Sequence, residues 1–285
     1  MRPDIKRVVI LTHGDPGVAR EPLERSLTLL AEREIEAVVP DNEIEKHGTL
    51  LKRLGAVRVV AGGNDLDGVG LCLVLGGDGT MLRAFHLTRG RSIPVAGVNL
   101  GRVGFLTTVD NDDLPVGLSR LLDGDFTEYP LLGLEATVGE EVYRASNDVV
   151  VGKGKRPHAC VLSLTINNVT LFEVHCDGVV VGTPAGSSAY SLAAGGPLLG
   201  ISVDAYVISL IAAHAAGVRP VVAAPGDILE IINIGDTDCA IDVDGDRLAM
   251  LDPGLTARIN TRPGTNTLAL LEGDSLYHHF RDRLL

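Results

Sequence analysis

The stretch Leu71-Cys72-Leu73-Val74-Leu75-Gly76-Gly77-Asp78-Gly79-Thr80 sets two glycines, a carboxylate, a third glycine and a hydroxyl directly after an apolar run of strand length. The residues that follow, Met81 to His86, can continue as a helix. A buried strand therefore delivers a glycine-rich turn to a helix N-terminus, where free backbone N–H groups and the helix dipole favour anions. Gly76, Gly77, Gly79 and Thr80 are the candidate phosphate-binding residues. A carboxylate does not bind phosphate directly, so Asp78 reads as a metal ligand, as a group that activates a hydroxyl, or as a helix cap. The turn lacks the Lys-Ser/Thr ending of a Walker-type loop.

Three further stretches offer polar groups in unusual settings. Asn99-Leu100-Gly101-Arg102-Val103-Gly104-Phe105-Leu106 ends a second apolar strand in a glycine-containing turn, like a second wall of one crevice. Asn147-Asp148 interrupts a strand pattern with two polar residues. From Asp177 to Pro197 a strand runs into a long loop of glycine and small hydroxyl residues, Thr183-Pro184-Ala185-Gly186-Ser187-Ser188-Ala189-Tyr190-Ser191, which offers hydroxyls and backbone N–H groups and leaves room for a planar ring.

The elements that must position these groups fall into two patterns. Strands over Arg7–Leu11, Ile35–Val39, Leu71–Leu75 and Ile93–Asn99 alternate with helices over Glu21–Arg33, Ile44–Leu54, the stretch to about His86, and Asp112–Leu122. Such alternation predicts a mainly parallel sheet with helices on its faces and ligands at the carboxyl ends of its strands, where Asp78 falls. After Phe126 the periodicity becomes strand-like: Leu131–Val138, Glu141–Val151, His158–Asn167, Val169–His175, Val179–Thr183, Asp204–Ile211, Asp227–Ile234 and Cys239–Asp244. Gly139-Glu140 and Asn167-Asn168 read as hairpin turns. The expected organisation is an α/β domain over 1–125, an all-β domain over 126–270, and a terminal segment over 271–285, helical from Leu276, that returns to the first domain.

Composition limits the function classes. Apolar residues make up 45% of the 285 residues, enough for two cores, while Trp is absent and Gly reaches 34. A net charge of −12 opposes nucleic acid and anionic membranes as partners. It also opposes polyphosphates, so bound phosphates need local cations, helix N-termini and a divalent metal. The four cysteines, Cys72, Cys160, Cys176 and Cys239, show no Cys-x-x-Cys spacing and read as reduced thiols of a cytoplasmic protein, without disulfides or zinc. The first apolar run, Val8 to Leu11, is too short for a signal peptide, and the uncharged stretch between Asp177 and Asp204 is broken by Gly and Pro, so no membrane span is expected.

In their order along the chain, these motifs resemble the NAD kinase family, joined by His214, Arg219-Pro220 and Asp244-Gly245. The Gly-Gly-Asp-Gly-Thr element is shared with diacylglycerol and sphingosine kinases and, in variant form, phosphofructokinases; the Thr183-to-Pro197 loop is the more specific match. The resemblance implies the NAD kinase/diacylglycerol kinase-like fold: an α/β domain, a β-sandwich-like domain and an active site between them. It implies transfer of the ATP γ-phosphoryl group to the 2′-hydroxyl of the adenosine ribose of NAD, with Mg²⁺ arriving on ATP and sites completed across subunits of a homodimer or homotetramer. It makes Asp78 the general base and Arg83 a neutraliser of phosphate charge. Asn147 and Asp148 then hold the adenosine ribose or the nicotinamide end. His158, His175 and Asp177 contact the dinucleotide, and Ser188, Ala189, Tyr190, Ser191, Leu192 and Ala193 line the base and ribose pocket. Asp246 stands where the family often has an amide side chain, and Ala185 where a threonine is usual. A lipid or small-alcohol kinase and a non-catalytic nucleotide sensor are the competing readings; the polar Ser187-to-Ser191 loop argues against the first and the intact Asp78 against the second.

Overall fold

The computed structural model describes residues 5–54, 57–60, 65–101, 104–155, 158–214, 217–273 and 277. Arg102, Val103, His278, His279 and, apart from Tyr277, the terminal helix expected from Leu276 lie outside the described residues. The chain forms two compact units. One comprises the described residues up to Pro130 and those from Asn266 onward; the other is Leu131–Thr265.

The first unit opens β1 (Arg7–Thr12), α1 (Pro16–Glu32), β2 (Glu36–Pro40), α2 (Asp41–Leu54) and β3 (Val57–Val60). It continues with β4 (Leu71–Gly76), α3 (Asp78–Thr88), β5 (Pro94–Asn99), β6 (Val109–Asp110) and α4 (Leu114–Leu122). Its strands pair in parallel in the order β5-β4-β1-β2-β3, with Leu73 opposite Ile10 and Val74 opposite Gly97. The carboxyl ends of β1, β4 and β5 therefore share one edge. Every residue of β4 is buried. Leu71, Leu73 and Leu75 pack with Leu23, Leu27 and Leu30 of α1 and Leu114, Leu118 and Leu121 of α4, and each such side chain contributes roughly 1.5–3 kcal/mol on burial. α1 starts about one turn before the expected Glu21, because the Asp15 carboxylate accepts from the Gly17 N–H at 2.8 Å and Pro16 suits the first helical position. β3 was not anticipated.

The second unit contains most of β7 (Phe126–Val138), then β8 (Glu141–Ala145), β9 (Asp148–Lys153), β10 (Cys160–Ile166), β11 (Val169–Cys176), β12 (Gly178–Gly182) and the single turn α5 (Tyr190–Ala193). β13 (Tyr206–Ile211), β14 (Val221–Ala223), β15 (Leu229–Asn233), β16 (Cys239–Val243), β17 (Asp246–Leu251) and β18 (Thr256–Leu271) follow. The last residues of β18 belong to the first unit, where Thr267 and Leu268 pair in parallel with β5. A six-stranded antiparallel sheet runs β14-β13-β12-β9-β16-β17. β10, β11 and β15, the first part of β18, and the β7–β8 hairpin form the other antiparallel layer. Residues of both layers, among them Leu134, Val149, Leu162, Val179, Ile241 and Ile259, make one aliphatic core. Gly139 (φ 60°), Asn167 (φ 49°) and Asn168 (φ 65°) adopt the left-handed conformation that tight hairpins need.

The structure corrects the single strand expected over Glu141–Val151. The chain leaves one sheet at Ala145 and enters the other at Asp148, because the backbone N–H groups at the break turn toward a carboxylate, Asp244, rather than toward a neighbouring strand.

Candidate active site

Asp78 is the first residue of α3, and its helix is capped by Gly77 without a side-chain hydrogen bond, so the capping role left open by the sequence is not the one it takes. Its carboxylate instead reaches across to the turn after β5. Oδ2 accepts the Phe105 N–H at 3.0 Å and Oδ1 accepts the Leu106 N–H at 3.1 Å. A Cβ on Gly104 would stand 2.7 Å from Asp78 Oδ1, so a glycine is required for this approach. The two glycine turns are thus joined by the carboxylate itself, at the carboxyl edge where β4 and β5 lie side by side.

The glycines of the first turn divide by what surrounds them. A Cβ on Gly76 would strike the buried Thr80 hydroxyl, so Gly76 allows the helix to pack back on its strand. Cβ atoms on Gly77, Gly79 and Gly101 would meet nothing within 4 Å. Those three leave bare backbone facing open space, the property a phosphate cradle needs. α3 is anchored at its far end, where buried Asn266 Nδ2 donates to the Phe85 carbonyl at 2.7 Å. Arg83, on α3, is half-exposed and its Nη2 donates to the Thr12 carbonyl at 2.5 Å.

In the second unit, Asn147-Asp148, the start of the Thr183 loop and the Asp244-Gly245 turn gather at one end of the six-stranded sheet. Asp148 pairs with Gly182 and Val149 with Val243. Asp244, at φ 52°, accepts from the backbone N–H groups of Ser146 (2.8 Å), Asn147 (2.7 Å) and Asp148 (3.2 Å). Thr183 N donates to the Asn147 carbonyl at 2.8 Å, and Thr183 Oγ1 donates to the Ser146 carbonyl while accepting from Gly186 N. A Cβ on Gly186 would lie 2.0 Å from the Asn147 carbonyl oxygen, so loop and strand break touch backbone to backbone. The Asn147 Oδ1 is buried with no hydrogen-bond partner among the described residues. Burial and the nearby Asp244 charge push the Asp148 carboxyl up to about 7.

The loop residues separate in the same way. Tyr190, Ala189 and Ala193 are exposed and Leu192 and Ser188 are half-buried. Ser191 is fully buried, its hydroxyl 3.0 Å from that of Ser209, so its side chain packs inside the loop. Ala185 is also buried, so the hydroxyl missing there is absent from the interior of the loop. Asp246 starts β17, exposed, at the same end as Asp244.

His158, His175 and Asp177 do not join this group. β12 runs from Gly178 beside Asp177 to Gly182 beside Thr183, which puts Asp177 on the order of 15–20 Å from the loop. Both histidines are exposed there, His214 N donates to the His175 carbonyl at 2.8 Å, and Asp177 is ion-paired with Lys153 at 2.6 Å. Lys153 was not singled out from sequence, and neither were the Phe105 and Leu106 amides, which no side-chain pattern reveals. Asp244 was visible as Asp-Gly, a pair suited to left-handed backbone, but its role as acceptor was not. Among the described residues, no cluster of three or more His, Cys, Asp or Glu side chains could hold a metal ion, all four cysteines are free and buried, and no helix is long and apolar enough to cross a membrane.

Two family models match: the ATP-NAD kinase N-terminal domain over residues 14–126 and the ATP-NAD kinase C-terminal domain over residues 146–269. The NAD kinase of Corynebacterium glutamicum is 35% identical over 252 residues, covering 86% of this chain and 84% of that protein. NAD kinase 2 of Streptomyces coelicolor is 32% identical across 99% of this chain and 93% of its own length. In fold, the chain is similar to yeast NADH kinase, solved in complex with NADH, with a TM-score of 0.86 at 22% identity over 98% of this chain and 86% of that one. Two matched domains in the family's order, together with relatives above 30% identity over most of both chains, place this chain in the ATP-NAD kinase family.

Proposed function

We propose that this NAD kinase transfers the γ-phosphoryl group of ATP to the 2′-hydroxyl of the adenosine ribose of NAD, with Asp78 as the base. The observation that carries the reading is the Asp78 carboxylate, held by two backbone amides beside glycines whose surroundings are open. A bond forms between the ribose oxygen and the γ-phosphorus as the bond to the β–γ bridging oxygen breaks, and the ribose proton passes to Asp78. A carboxylate is a weak base, so the contribution of Asp78 comes from orientation and from taking the proton late, as charge develops.

Gly77, Gly79 and the α3 N-terminus supply backbone to the phosphates, and Arg83 supplies the cation. The donor set fits a metal delivered by its substrate: the turn contains one carboxylate and open backbone, with Asp78 the residue able to touch Mg²⁺. Bound to ATP, Mg²⁺ neutralises charge on the phosphates. Asn147, with its unpartnered buried carbonyl oxygen, and Asp148 hold the NAD ribose or amide, and the exposed part of the Ser188–Ala193 segment faces its rings. His158, His175, Asp177 and Asp246 contact dinucleotide, the first three in a site completed by a second copy in a cytoplasmic homodimer or homotetramer; their separation from Asn147 within one chain supports this arrangement. Purified protein with Mg²⁺, ATP and NAD should yield NADP. Phosphorylation of a lipid or sugar with no NADP formed would overturn the reading.

A further inference from the structure

We infer that Glu43 is a positioning residue for Arg83, setting through Thr12 how that cation meets phosphate. At the carboxyl end of β1, beside the strand that leads into the Asp78 turn, the side chains of Thr12, Glu43, Lys46, His47 and Arg83 meet. The Glu43 side chain is 1% exposed. Thr12 Oγ1 donates to Glu43 Oε2 at 2.5 Å and lies 2.9 Å from His47 Nε2. With its single proton on Glu43, the hydroxyl can only accept from His47, which fixes the imidazole with hydrogen on Nε2. Burial lowers the His47 pKa, in keeping with a neutral ring. Lys46 Nζ donates to Glu43 Oε1 at 2.8 Å and to the Thr12 carbonyl at 3.4 Å. That carbonyl also accepts from Arg83 Nη2, which lies 3.8 Å from Glu43 Oε1.

Packing of α2 does not call for this charge. Leu50 and Leu51 already bury α2 in the core, and replacing buried ion pairs by apolar groups is often neutral or stabilising. What the carboxylate adds is orientation. It fixes Thr12 and draws one edge of the Arg83 guanidinium onto the end of β1, leaving the remaining N–H groups of a 40%-exposed side chain for an anion. An arginine held this way loses less side-chain freedom when phosphate binds. The cluster is built into the first unit and uses none of the residues that recognise NAD.

The inference rests on Arg83 meeting ATP phosphate, and the experiment separates the two ideas. Steady-state kinetics are measured for the parent enzyme, Glu43→Gln, Arg83→Ala and the double variant. Glu43→Gln should raise the KM for ATP about fivefold, the scale of immobilising one long side chain, with kcat changed less than about twofold. In the Arg83→Ala background it should change the KM no further. An unchanged KM for Glu43→Gln, or the same factor in both backgrounds, overturns the positioning role. An Arg83→Ala enzyme with normal KM for ATP removes the phosphate contact itself, and with it the inference. Should Glu43→Gln not fold, Thr12→Val in the same two backgrounds decides by the same criteria.

Discussion

Asp78 and Asp148 are both aspartates that open an element beside a glycine turn, a helix in one case and a strand in the other, yet the two units treat them in opposite ways. In the first unit two backbone amides converge on Asp78, one on each oxygen. In the second, the converging amides, including that of Asp148 itself, go to Asp244. Asp148 is left 6% exposed beside another carboxylate, and its carboxyl is pushed up to about 7. Free amides thus make one aspartate an oriented acceptor, while their capture by a neighbour makes the other a group that keeps its proton near neutrality and can donate a hydrogen bond. One residue type acts in opposite senses because of where the main chain turns.

The contrast can be broken at several points. The largest effect belongs to Asp78→Asn, whose amide nitrogen must face one of the two N–H donors. We expect kcat to fall by about 10³-fold, within the usual range for a positioned base, with NAD affinity by calorimetry preserved; turnover within tenfold of the parent would remove Asp78 as the proton acceptor.

Asp148 should appear in the pH dependence of stability. Its folded pKa of about 7 exceeds the unfolded value of about 3.9. The folded state therefore binds the proton more tightly, and this stabilisation is complete below pH about 4 and lost as pH rises through about 7, on the order of 4 kcal/mol at most. Urea unfolding of the ligand-free protein between pH 4 and 8 should show that slope, and Asp148→Asn should flatten it. Equal slopes in the two proteins would contradict the assignment.

Two glycine substitutions compare structure with binding. Gly186→Ala pushes a methyl into the Asn147 carbonyl and should cost about 3 kcal/mol in a thermal melt. Gly77→Ala meets open space, so its melting temperature should stay near that of the parent while the KM for ATP rises. A normal KM would mean that phosphate does not approach there. The smallest change expected is in Asp244→Asn, which keeps the left-handed backbone and an oxygen acceptor but removes the neighbouring charge. It should move the Asp148 transition to lower pH while leaving the larger cause, burial, in place.

Most of this was legible where side-chain type reports the environment. The alternating apolar runs Arg7–Leu11, Leu71–Leu75 and Ile93–Asn99 located the parallel sheet, and Asn167-Asn168 located a hairpin. What stayed hidden depends on main-chain atoms or on distant partners. Nothing in Phe105 and Leu106 announces that their amides hold a carboxylate 27 and 28 residues away. The Glu141–Val151 stretch looks continuous because the acceptor that breaks it, Asp244, lies nearly a hundred residues on. Ser191 has the chemistry of a ligand contact, and its burial against Ser209 is not visible in the sequence. The resemblance implies dinucleotide contacts for both Asp177 and Asn147 without their spacing, and strand length sets the two apart.

The grip of Phe105 and Leu106 on Asp78 also has a consequence for timing. A carboxylate on a free side chain would have to surrender its rotation, and shed ordered water, each time a substrate arrived. On the role proposed for Asp78, that loss is settled when β4 and β5 come together during folding, once per molecule, and successive substrates would meet an acceptor that no longer needs to be arranged.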